Sequence, residues 1–181
     1  MTGVNPWHDV ESGKDFPKVV NAVIEIPKES KLKLELDKKT GMIKLDRFLF
    51  SSIHYPGDYG FIPQTYWEDD DPLDIIIFTG YPVPSGTLVS ARIVGVVNMI
   101  DGGESDDKII AVYEKDPRYG KVNSVRDLPG HALEELKHFF ETYKQLEGKK
   151  VDVLGINDKD AAYKILERAK KLYKEKFGSK K

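Results

Sequence analysis

The sequence predicts an α+β domain, a β-rich body read as a small barrel with two helices at its C-terminal end. Three observations carry this. Up to Tyr113 the apolar residues either alternate or gather in short β-branched runs. Loops rich in Gly, Pro and Asp separate those runs. Beyond Pro129 the apolar period becomes that of a helix. The 181 residues suffice for one domain with a substantial core. The whole chain, 1–181, is therefore read as one domain, with 1–17 as an N-terminal arm and 178–181 as a flexible tail.

The arm is polar and carries Gly3, Pro6, Gly13 and Pro17. It has no apolar segment of a signal peptide. "VVNAVIEI" (Val19–Ile26) reads as a buried strand. In "KLKLELD", Leu32, Leu34 and Leu36 take one face while Lys31, Lys33, Glu35 and Asp37 take the other. "DKKTG" is a turn, and "MIKLDRFLF" (Met42–Phe50) the return strand of a hairpin. After the loop "HYPGDYGFIPQ" and an acidic cluster comes a strand over Ile75–Phe78. "LVSARIVGVVNMI" (Leu88–Ile100) is long for one strand, and Gly95 marks a bulge or bend within it. "KIIAVY" (Lys108–Tyr113) is a further strand. In the last third, Leu133, Leu136, Phe140 and Tyr143 form one helical stripe, closed at Gly148. A second helix runs from about Asp158 to Phe177, with Ile165, Leu166, Ala169, Leu172 and Tyr173 inward.

Composition excludes several functions. With 28 basic and 30 acidic residues the formal net charge is −2, so no global field draws nucleic acid or an anionic membrane. No apolar run reaches the ~18 residues of a membrane span. The absence of cysteine removes disulfides, thiolate catalysis and cysteine–zinc sites, and a reducing, cytoplasmic setting is expected.

The chemistry points to two acidic loops. "WEDDDPLDIIIF" sets Glu68, Asp69, Asp70, Asp71 and Asp74 against the mouth of an apolar strand. In an extended chain Asp69 and Asp71 point one way and Asp70 the other, with Asp74 following. Converging carboxylates repel and need protons or cations. Oxygen ligands alone favour Mg²⁺ or Mn²⁺. A calcium loop is excluded, because Leu73, Asp74 and Gly80 fall where it needs an acceptor, glycine and glutamate. The second loop holds Asp101, Glu104, Asp106 and Asp107. Two such loops at neighbouring strand ends suit a site with several metals and phosphoryl chemistry.

"DDDPLDI" fits the D-x-D-P-x-D signature of the family I soluble inorganic pyrophosphatases. "VIEIP", "KLELDKKTG", "LDRF", "YPGDYGFIP", "DGGESDDK" and "HFFETYKQLEG" follow in that family's order. The chain thus resembles the family from about Val19 to Lys149, and its length suits the prokaryotic type. The resemblance implies a small closed five-stranded OB-like β-barrel flanked by two C-terminal helices, hydrolysing pyrophosphate to two orthophosphates. It implies several Mg²⁺ ions, with Mn²⁺, Zn²⁺ or Co²⁺ as substitutes, on Asp69, Asp71, Asp74, Asp101 and Asp106. It places substrate binding on Lys33, Arg47, Tyr59, Lys108, Tyr143 and Lys144, with Glu25, Glu35 and Tyr55 in support. It implies that Asp71 is the catalytic residue, taking a proton from the attacking water. Partners are the substrate and further copies of the chain, a hexamer by analogy, with no nucleic acid and no membrane. Ile156, where the family often has Trp, and "AVYEKDP", where it often has Val-Pro, depart from the pattern without touching these ligands. The alternatives are a metal-dependent phosphatase for other small phosphates and a non-catalytic OB-type binding module.

Overall fold

A computed structural model describes residues 4–178 of the chain. All of the expected tail but Gly178 lies outside the described residues. The strands are β1 (Val19–Ile26), β2 (Leu32–Leu36), β3 (Ile43–Phe48), β4 (Asp58–Phe61), β5 (Asp74–Phe78), β6 (Leu88–Asp101), β7 (Glu104–Ser105) and β8 (Lys108–Tyr113). Helix α1 (Gly130–Thr142), strand β9 (Val151–Asp158) and helix α2 (Lys159–Phe177) complete the domain.

Five strands pair in sequence around a ring: β1 with β4, β4 with β5, β5 with β8, β8 with β6, and β6 back to β1. All pairs are antiparallel except β5–β8. The barrel is nonetheless not strictly closed as expected. β1 covers only Leu88–Arg92 of the 14-residue β6, and β9 pairs with the stretch from Gly95 to Asp101. A strand this long outruns its neighbour, and its remaining backbone groups need another partner. Sequence reading supplied no strand there, because in β9 only Val151 is buried and the chain beyond it alternates weakly. Hairpin β2–β3 forms its own two-stranded sheet. The β6–β8 register shifts between Ile93 and Gly95, where a bend was expected. A side chain at Gly95 would meet Asn157 O at 2.6 Å, so β9 approaches only because that residue is glycine.

The uninterrupted "IIIF" run follows from burial on both faces. Ile76 and Ile110 pack into the cluster containing Leu136, Phe139 and Phe140 of α1. Ile75, Ile77 and Ile109 pack into that of Ala162, Leu166 and Ala169 of α2. Residues 4–17 form no helix or strand, but Trp7 is buried with Leu36, Phe61 and Tyr173. Helix α1 ends at Thr142, short of the expected Gly148. A separate 3-10 turn, Gln145–Glu147, follows, and Gly148 closes that turn at φ +71°. Tyr143 caps the helix, its amide donating to Phe139 O at 2.9 Å, and packs on Phe139 and Phe140 as the stripe predicts, while Lys144 leaves the helix.

Candidate active site

All fourteen residues singled out from the sequence line one cavity of about 590 Å³. Hairpin β2–β3 forms one wall, the two acidic loops another, and the segment after α1 a third.

The first acidic loop is a tight turn, where an extended chain was expected. Asp70 adopts φ +64°, and its amide donates to Trp67 O at 3.2 Å. Its carboxylate faces outward onto Tyr66 and Lys176. Leu73 is fully buried and anchors the turn, its amide donating to Thr65 Oγ1 at 2.9 Å. The turn alters which carboxylates converge. Oxygens of Asp69, Asp74 and Asp106 lie within 4.8 Å of one another. Asp71 stands beside them, its Oδ1 2.5 Å from Lys38 Nζ. Asp101 is paired with Lys144.

The cations are embedded among these acids. Lys108 Nζ donates to Asp74 Oδ2 at 2.6 Å and also to Asp106. The Tyr59 hydroxyl donates to the same Asp74 oxygen at 2.6 Å. Lys33 lies 3.2 Å from Glu35 and above the Tyr59 ring. Arg47 pairs with Glu147 at 2.9 Å and Asp46 at 2.6 Å. Its Nη2 is buried and has no hydrogen-bond partner among the described residues.

The charge states follow from this crowding. Burial and then the negative charge of Asp74 push Asp69 up to about 7, against the pull of Lys108. Burial opposes the Asp106 charge, but Lys108 outweighs it and the pKa falls. Burial also opposes the Lys108 charge, and Asp74 and Asp106 overcome it, so the pKa rises. For Lys33, Tyr55, Glu25 and Asp74 outweigh burial in the same way. Burial pushes Tyr55 up to about 12 and raises Tyr59 and Tyr143 well above the usual phenol range. At neutral pH the cavity therefore presents charged ammoniums and protonated phenols, all of them donors. Burial pushes Glu25 up to about 8, with Lys33 opposing. Its Oε1 accepts from Leu36 N at 2.7 Å.

Lys38, Lys39 and Lys44 of the hairpin also line the cavity, and sequence reading missed them. Lys38 and Lys39 lie in the turn, where alternation stops assigning side chains to a face.

The inorganic pyrophosphatase family profile matches residues 22–174. Soluble inorganic pyrophosphatase 3 of Arabidopsis thaliana is 48% identical over 171 residues, 94% of this chain and 79% of the relative. A soluble inorganic pyrophosphatase of Zea mays is 48% identical over 169 residues, 93% of this chain and 79% of the relative. Among solved structures, the inorganic pyrophosphatase of Thermus thermophilus superposes with a TM-score of 0.91 at 41% identity, covering 94% of this chain and 99% of that one. The Helicobacter pylori enzyme gives 0.87 at 42% identity, covering 91% and 98%.

Proposed function

Because this chain belongs to the inorganic pyrophosphatase family, we propose that the cavity is its catalytic centre and assign roles to the side chains within it. The chain hydrolyses inorganic pyrophosphate to two orthophosphates. The observation that carries the site assignment is the cavity's composition: converging carboxylates of Asp69, Asp74 and Asp106 beside the buried ammonium of Lys108.

The donor set fits divalent cations, several per site. It offers carboxylate oxygens without His or Cys, and those of Asp69, Asp74 and Asp106 lie within 4.8 Å of one another. We assign Mg²⁺ to Asp69, Asp74 and Asp106, with Asp71 and Asp101 beside them. When bound, such ions lower the pKa of a water and neutralise phosphate charge.

The chain's own groups do the rest. Arg47, whose buried Nη2 has no partner among the described residues, has a donor to spare for an anion, and Tyr143 and Lys144 join it on one phosphate. Lys33 and Lys108 hold the other, and Tyr59 fixes Asp74. Glu35 orients Lys33, Tyr55 packs against Tyr59 and Phe139, and Glu25 orients the hairpin through Leu36. Asp71 accepts a proton from the attacking water. The water oxygen bonds to one phosphorus, the bond from that phosphorus to the bridging oxygen breaks, and the lysines meet the charge that the leaving phosphate gains.

Bacterial structures matched over nearly their whole length support the prokaryotic type. Assembly of copies, a hexamer in our reading, rests on likeness to the family. The lack of cysteine supports a cytoplasmic setting. Among the described residues no helix is long and apolar enough to cross a membrane.

The test is orthophosphate release from pyrophosphate with Mg²⁺ and then with excess chelator. Release that requires the ion is expected. No release with Mg²⁺, Mn²⁺ or Co²⁺ would overturn the reading.

A further inference from the structure

Lys38 has no role in the assignments above, yet its ammonium gathers three contacts from two other stretches of chain, the first acidic loop and the N-terminal segment. It lies 2.5 Å from Asp71 Oδ1. It donates to the carbonyl of Asp70 at 3.0 Å. It sits over the Trp7 ring, 5.6 Å from the centroid. A half-exposed ion pair adds little to stability. What this one does is limit where the Asp71 carboxylate can turn.

Both ends of the contact are built rigidly. On the hairpin side, Asp37 Oδ1 accepts from Lys39 N at 3.1 Å, Thr40 N at 2.8 Å and Thr40 Oγ1 at 2.9 Å. Gly41, at φ +70°, closes the turn. Trp7, beneath the ammonium, is buried and pinned by its Nε1 donating to Thr65 O at 2.8 Å. On the loop side, Tyr66 and Lys176 hold the Asp70 carboxylate from outside. The Asp71 carbonyl accepts from Trp67 N at 2.8 Å. The backbone of Asp71 is thereby fixed, while its side chain is half exposed. Lys38 engages one oxygen of that carboxylate, and one oxygen remains.

We propose that Lys38 is a positioning residue for Asp71: seated on Trp7, it holds one carboxylate oxygen so that the other meets the attacking water. The proposal rests on the reading of Asp71 as the proton acceptor. It makes the N-terminal segment, through Trp7, part of the machinery that orients the base.

Four proteins test it: wild type, Lys38→Met, Lys38→Arg and Asp71→Asn. The methionine keeps an apolar stem over Trp7 and removes the charge. Steady-state kinetics at saturating Mg²⁺ give kcat and KM, and calorimetry gives Mg²⁺ affinity of the substrate-free protein. Lys38→Met should lower kcat about tenfold with KM within about twofold, as expected for a misaligned base. Lys38→Arg should recover to within about threefold of wild type, because it restores a charged donor. Mg²⁺ affinity in Lys38→Met should hold or rise, since a nearby cation is gone. Unchanged kcat in Lys38→Met, with Asp71→Asn inactive, overturns this proposal alone. A fall in Mg²⁺ affinity that accounts for the lost activity also overturns it, making Lys38 a support of the metal site. Activity retained in Asp71→Asn overturns the reading of Asp71 and this proposal together.

Discussion

Asp74 and Lys108 are directly paired in the parallel β5–β8 ladder, and their side chains meet at 2.6 Å inside the cavity. The register thus sets a buried cation into the carboxylate cluster. Lys108 is 3% exposed and keeps its proton because Asp74 and Asp106 outweigh the cost of burial. Lys108→Met should lower kcat/KM for pyrophosphate about 100-fold, the scale of losing one preorganised charge at a reacting centre. Mg²⁺ affinity, read by calorimetry, should rise in the same variant. Wild-type kcat/KM would remove Lys108 from the reaction.

Asp71→Asn keeps the shape of the side chain and removes its basicity. The kcat should fall by at least about 100-fold, the usual worth of a general base. The melting temperature should move little, because the side chain is half exposed. A fall in kcat that tracks lost stability would contradict the assigned role.

Cations that relieve the crowding of Asp69, Asp74 and Asp106 should stabilise the fold. At 100 times the dissociation constant the gain is about 3 kcal/mol, or roughly 5–10 °C in melting temperature. A thermal scan with Mg²⁺ and with chelator reads this shift. Asp74→Asn should lose most of it.

Glu25 interrupts the apolar strand β1 and is 6% exposed. Burial lifts its pKa from 4.5 to about 8 in the folded chain. The folded state therefore holds the proton that the unfolded state releases. Its contribution is complete below about pH 4.5 and is lost as pH rises through 8. Between pH 5.5 and 8.5 the wild type should lose about 3 kcal/mol relative to Glu25→Gln. Denaturant melts of both proteins in chelator test this, and parallel pH curves would refute it.

A Cβ on Gly60 would lie 1.9 Å from Val23 O, the backbone of the neighbouring strand β1. Nothing flexible can yield there. Gly60→Ala should cost more than about 3 kcal/mol, seen as a melting temperature at least roughly 6 °C lower or as failure to fold. A wild-type melt would mean that β1 and β4 can separate freely.

Pattern along the chain carried a large part of this protein. Leu32, Leu34 and Leu36 alternating with Lys33 and Glu35 announced the hairpin and the polar face that lines the cavity. The stripe of Ile165, Leu166, Ala169 and Leu172 announced α2. The ordered motifs named fourteen of the residues that line the cavity, though not Lys38, Lys39 or Lys44. Each is a local signal, because side-chain direction within one strand or helix follows from its own period. Convergence has no such period. Asp106 joins Asp69 and Asp74 through the β5–β8 register and a loop return, and Asp71 is set aside by the left-handed turn at Asp70. Strand β9 exists because β6 outruns β1, and Lys38 reaches Asp71 because Trp7, far away in sequence, packs beneath it. Those placements depend on which backbone groups and apolar faces remain to be covered once the other elements are in place, and that balance is struck only in three dimensions.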